Sequence, residues 1–133
     1  MPLYSDFDIS FNADPASKDL VVVVDDDAVI QSVRTLVLTS FYERPFQPAL
    51  GSTLRRILFE PLDEVTKLAL AHSVKNTIEA FEPRVQVKIV DVYVGHGPSG
   101  RVLDDNTVVI VVSILIYNRP NLVSTEFALQ RLR

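Results

Sequence analysis

The chain has no cysteine in its 133 residues. Disulfides, thiolate-held metals and cysteine nucleophiles are therefore all excluded. It also has little positive charge: 13 Lys and Arg stand against 17 Asp and Glu, giving a formal net charge of −4 and a pI near 5.1. That balance argues against nonspecific binding to nucleic acid or to an anionic membrane, either of which needs a basic face. A long apolar run is missing too. The longest, Val108 to Tyr117, is about half a membrane span and is interrupted by Ser113. The opening Met1-Pro2-Leu3-Tyr4-Ser5-Asp6 lacks the basic and apolar regions of a signal peptide. The expectation is a soluble protein made in the cytosol. No internal repeat, low-complexity stretch or linker is visible, so the length fits one domain, 1–133, with a real core.

What is present has a sharp boundary. Phe81-Glu82-Pro83-Arg84-Val85 separates a helix-like stretch, Leu62 to Phe81, from a strand-like remainder. Pro83 has no N–H to give a helix interior, and its ring pushes Glu82 out of the α region. A carboxylate and a guanidinium are left on a rigid corner. Either a partner reads these two charges, or they pair internally and lock the corner.

Taken in order, residues 1–19 read as an N-terminal arm; in Asp6 to Phe11 the alternation puts Phe7, Ile9 and Phe11 on one side, as a short strand or a laid-down arm would. Leu20 to Val24 is a β-branched run and predicts a strand. Asp25-Asp26-Asp27 suits a helix start, where partial positive charge and free N–H groups accumulate. Val29, Ile30, Val33, Leu36 and Val37 follow at helical spacing. A metal site at the aspartates has no downstream liganding pattern to support it. Phe41 to Leu50 is a loop with two prolines, whose Phe41, Tyr42 and Phe46 are expected to seek burial. Ser52 is the expected cap of a short helix carrying Leu54, Ile57 and Leu58. Pro61 fits the first turn of the next helix, with Leu70, Val74, Ile78 and Phe81 as its apolar stripe, widened by Val65, Leu68 and His72.

Three strands then follow. In Val85 to Val94 the apolar phase slips at Ile89-Val90, which predicts a β-bulge. Thr107 to Tyr117 is nearly all Val, Ile and Leu, implying a strand covered on both faces, its second face by this chain or by another protein. Asn118 to Asn121 reads as a tight turn, and Leu122 to Leu132 as a half-exposed edge strand. The fold class is therefore α+β: an N-terminal strand, three helices within a mainly helical 20–82, and a three-stranded antiparallel meander over 84–132.

Candidate chemistry is thin. Gly95-His96-Gly97-Pro98-Ser99-Gly100 has the letters of a dinucleotide fingerprint, but no helix follows it, so a hairpin loop is expected. His72 and His96 lie on separate elements. Glu43, Glu60, Glu79 and Glu82 flank the helical region and raise the question of a two-carboxylate glycosidase. Among 17 acids such pairs arise by chance, and each of these has a structural reason for its place. No catalytic residue, cofactor or metal is assigned.

Four short motifs carry a resemblance. Glu43-Arg44-Pro45-Phe46, Gly51-Ser52-Thr53-Leu54, Leu58-Phe59-Glu60-Pro61 and Glu82-Pro83-Arg84-Val85 occur here in an order and spacing similar to those of the baseplate wedge, or sheath-initiator, family of contractile-tailed phages of the T-even kind. The baseplate subunit of type VI secretion systems is similar too. The resemblance spans roughly Asp27 to Arg119. It implies a non-enzymatic structural subunit of the virion tail baseplate, made in the host cytoplasm and seated around the central tail tube. Its implied partners are the larger wedge proteins and the tail sheath protein, with no nucleic acid and no membrane. It implies wedge contacts at Glu82, Pro83 and Arg84. It implies strand exchange with the sheath in the C-terminal meander, where Val108, Ile110, Val112 and Ile114 and then Val123, Thr125 and Phe127 are the candidate residues. Some family members have carried a lysozyme label, so a muramidase is the alternative of a different class. The same scaffold in a bacterial secretion system or phage-tail-like particle is the other.

Overall fold

A computed structural model of the chain describes residues 2–117 and 119–131. Asn118, expected in a tight turn, and Leu132, expected at the end of the last strand, lie outside the described residues. The architecture is α+β, with two short strands, three helices and a C-terminal antiparallel sheet.

Strand β1, Ser5–Phe7, pairs antiparallel with β2, Val22–Val24, in a small sheet of its own. Of the two expectations for Asp6 to Phe11 the structure has a short strand, over Ser5–Phe7, and the strand expected from Leu20 starts two residues later. Phe7, Ile9 and Phe11 remain exposed. The pair is anchored to helix α1, Asp25–Leu38, largely by polar contacts: Gln31 donates to the Phe7 carbonyl at 2.7 Å, and the Leu3 N–H donates to Asp25 at 2.8 Å. Asp25, Asp26 and Asp27 occupy the first turn of α1, where their charge suits the helix dipole.

Helix α2, Leu54–Ile57, is a single turn. Helix α3 runs Glu64–Phe81 and starts later than Pro61 predicts. Asp63 is the reason: its side chain accepts the Thr66 N–H at 2.7 Å and fixes the start there. Leu70, Val74 and Ile78 face inward as the spacing predicts, whereas Val65, Leu68 and His72 face solvent and Phe81 is partly exposed.

Strands β3 (Val85–Val94), β4 (Thr107–Ile116) and β5 (Leu122–Gln130) form a meander with β4 in the centre. The bulge falls at Lys88, one residue before its predicted place: Val87 faces Ile114 and Ile89 faces Ser113. Skipping the charged residue restores Val90, Val92 and Val94 to the core phase and turns Ile89 outward.

The core lies between the helices and one face of this sheet. Val29, Val33 and Val37 of α1 and Leu70, Val74 and Ile78 of α3 pack against Val108, Ile110, Val112, Ile114 and Phe127, all fully buried. Phe127 is the largest of these and the main anchor of the edge strand. Replacing it with alanine should cost about 3–5 kcal/mol, read as a lower urea midpoint at unchanged slope.

Candidate functional site

The bend after α3 is built from four parts of the chain. Glu82 caps the helix, its N–H donating to the Ile78 carbonyl at 2.8 Å, and Pro83 prevents another turn. The Glu82 side chain is only 5% exposed. A carboxylate this deep needs partners on both oxygens, and it has them. Arg84 Nε donates to Oε1 at 2.6 Å and Arg84 Nη2 to Oε2 at 2.7 Å, a bidentate fork. Ser32 Oγ, from α1, donates to Oε2 at 2.6 Å. The Arg84 guanidinium also lies 5.3 Å from the centroid of the Tyr4 ring. Burial alone would push the Glu82 carboxyl up, but the hydrogen bonds from Arg84 and Ser32 and the Arg84 charge outweigh it. The group sits below the ordinary carboxylate range.

Of the two readings of the corner, the geometry has the internal lock: Glu82 and Arg84 hold each other. Pro83 is exposed and Arg84 half-buried, so these two are what the bend presents outward.

The meander divides the remaining candidates. Val108, Ile110, Val112 and Ile114 are wholly buried on the central strand, with β3 on one side and β5 on the other. Their side chains fill the core and have no surface to offer a partner, a correction to the expectation. The alternate residues of β4, Val111, Ser113 and Leu115, are half-exposed on the face that the helices do not cover. Phe127 is likewise a core side chain, while Val123 and Thr125 are half-buried.

What β5 does offer is backbone. It pairs with β4 without interruption from Leu122 to Gln130, and nothing among the described residues pairs with its other side. The Arg131 N–H donates toward the β4 side, to Asn106 at 2.8 Å. Antiparallel alternation then turns the N–H groups of Ser124, Glu126 and Ala128 outward. The opposite edge, β3, is broken by the bulge and carries Lys88, two devices that discourage pairing.

The remaining candidates do not come together. Glu43 accepts the Ser40 N–H at 2.8 Å, and Glu79 lies 3.9 Å from Lys75 on the exposed side of α3. The cleft that Glu43 lines contains none of Glu60, Glu79 and Glu82. Gly95 to Gly100 lies in a hairpin loop, closed by the Gly97 N–H to the Arg101 carbonyl at 2.8 Å and followed by β4 instead of a helix. His96 packs edge-on against Tyr93 in that loop, away from α3 and its His72. Among the described residues no cluster of His, Asp and Glu could hold a metal. Asp25 and Asp26 instead face Arg119, at 2.7 and 3.5 Å.

The aromatic loop is what the sequence reading missed. Phe41, Tyr42 and Phe46 are exposed instead of buried. The available signal was Gly51, which holds the loop's end against its beginning.

Comparison with known proteins gives a consistent picture. A family model described as "Baseplate wedge protein gp25" matches residues 23–121. The baseplate wedge protein gp25 of Enterobacteria phage T4 is 25% identical over 122 residues, covering 90% of this chain and 84% of that protein. A solved structure from Geobacter sulfurreducens, provisionally called a tail lysozyme, superposes with a TM-score of 0.70 at 15% identity, over 81% of this chain and 92% of its own. A chain of the anti-feeding prophage baseplate gives 0.61 at 16% identity, over 98% and 87%. One of the postcontracted pyocin R2 baseplate gives 0.57 at 25% identity, over 80% and 98%.

The bend predicts a pH signature. Folding favours ionised Glu82, so its stabilisation is complete above the ordinary value of about 4.5 and is lost as pH falls through the lower folded value. Glu82→Gln should therefore cost about 2 kcal/mol at pH 7, and the gap to wild type should narrow as pH falls below the ordinary carboxylate value in paired denaturant titrations.

Proposed function

The chain belongs to the baseplate wedge protein gp25 family, and from that premise we propose that it joins the larger wedge proteins at its charged bend and starts the sheath by accepting a strand along β5. It is a structural baseplate component of contractile phage-tail-like machines. The observation that carries the proposal is the continuous outer edge of β5. An isolated protein protects such an edge, whereas an assembly subunit extends it with a neighbour's strand. Backbone hydrogen bonds supply the join, and Leu122, Ser124 and Glu126 on the outer face help set the register.

The bend supplies a rigid second contact. Pro83 and the Arg84 fork are fixed before docking, so little conformational freedom is lost when a partner meets them. The wedge proteins are the partners this contact fits, with the tail tube on the inner side of the ring. Among the seven residues of the meander first considered, the proposal keeps Val123 and Thr125. It gives the other five, Val108, Ile110, Val112, Ile114 and Phe127, to the core.

A muramidase reading is favoured by one observation, the provisional name of the Geobacter structure. The chemistry opposes it. A glycosidase acid must hold its proton near neutral pH, and Glu82 is shifted the other way. Purified protein should release no product from cell-wall peptidoglycan, and turnover abolished by Glu43→Gln or Glu60→Gln would restore the enzyme.

Strand addition is tested on the backbone. Glu126→Pro removes one outward N–H while leaving the ladder to β4 intact. The variant should melt within a few degrees of wild type yet nucleate sheath polymerisation at least tenfold more slowly. Unchanged nucleation by a folded variant counts against β5 as the docking edge.

A further inference from the structure

The loop over residues 40–51 takes no part in the bend or the sheet edge, yet it is firmly built. Gly51 sits at φ +146°, where a Cβ would come within 2.7 Å of the Ser40 carbonyl carbon. Only glycine permits that approach. It lets the Ser52 N–H reach the Thr39 carbonyl at 2.8 Å and Ser52 Oγ reach the Val37 carbonyl at 2.7 Å. The Tyr42 N–H donates across the loop to Pro48 at 3.0 Å. This fixed frame holds Phe46 98% exposed and Tyr42 84% exposed. Apolar rings held out in water by a rigid backbone are a surface awaiting a partner.

Beside the loop runs a groove of about 320 Å³ between α1, the loop's base and α2, lined by Ile9 and Leu38 and flanked by Arg34 and Arg55. Arg34 and Arg55 make no ion pair among the described residues. Glu43 lines the groove as its one acid, and its carboxylate accepts the Ser40 N–H. In a chain of net charge −4 this face is locally basic and apolar together.

We propose that the groove and loop tip receive an acidic, extended segment of a neighbouring baseplate protein. Arg34 and Arg55 take its carboxylates, and Tyr42 and Phe46 cover its apolar side chains. The charge of the groove selects the occupant: its two uncommitted guanidinium groups, Arg34 and Arg55, outnumber its one carboxylate, Glu43, and the apolar floor needs side chains that a bare ion lacks. Rigid aromatics beside arginine are the composition that concentrates binding energy at interfaces, and their fixed frame lowers the entropy lost on docking. The inference rests on the chain being an assembly subunit, but it uses a different surface from the sheet edge.

The test is site-specific photo-cross-linking in assembled baseplates, with the reactive group at position 46 and, separately, at position 124 on β5. Position 46 should capture a segment of another protein in which Asp and Glu outnumber Lys and Arg. The Arg34→Glu, Arg55→Glu double variant should lower that capture at least tenfold at an unchanged melting temperature, since both side chains are exposed. Capture at 124 with none at 46 overturns this inference and leaves strand addition standing. Capture at 46 with none at 124 does the reverse. A basic segment, nucleic acid or undiminished capture in the double variant also overturns it.

Discussion

The Glu82 carboxylate is the point on which the rest of the molecule turns. It ends α3, receives the guanidinium that opens β3, and is held by a hydroxyl from α1. Through Arg84 it also reaches Tyr4 at the chain's beginning. A buried charge is stable only when its partners are complete, and here both oxygens are satisfied from two directions. The direction of β3 follows from that closure, and β4 and β5 follow from β3. A bend that sets the orientation of a whole sheet is also a suitable fixed point for a larger partner to grip.

The sheet is finished on one side only. Its inner face is closed by α1 and α3, which leaves Val108, Ile110, Val112 and Ile114 no role except packing. On the outer face Val111 and Leu115 are half-exposed and Ile89 is exposed. The two edges are not equivalent. β3 is interrupted by its bulge, while β5 pairs with β4 without a break over nine residues, with its outward amides free of any described partner. One edge is guarded, and the other is open among the described residues.

Much of this was legible in the sequence, because the signals were local. Pro83 placed the helix-to-strand boundary, and β-branched runs placed the strands. The apolar phase slip placed the bulge to within one residue. Asp63 shifted the start of α3, since a capping side chain outweighed the proline before it. The errors arose where burial depends on tertiary closure. The β4 valines looked like an interface because a continuous apolar run does not say which side the helices will cover. Phe41, Tyr42 and Phe46 looked like core because composition does not reveal that their loop, closed at its base by Gly51, leaves them exposed. Whether Glu82 and Arg84 faced each other or a partner also required Ser32, fifty residues away, to be brought alongside.

The claim that β5 is an edge awaiting a strand is tested most directly by amide hydrogen exchange, residue by residue, in free protein and in assembled baseplates. The amides of Ser124, Glu126 and Ala128 should exchange rapidly in the free protein and become strongly protected on assembly, while those of Val123, Thr125 and Phe127 are protected in both. Equal exchange of the outward amides in the two states would contradict the account.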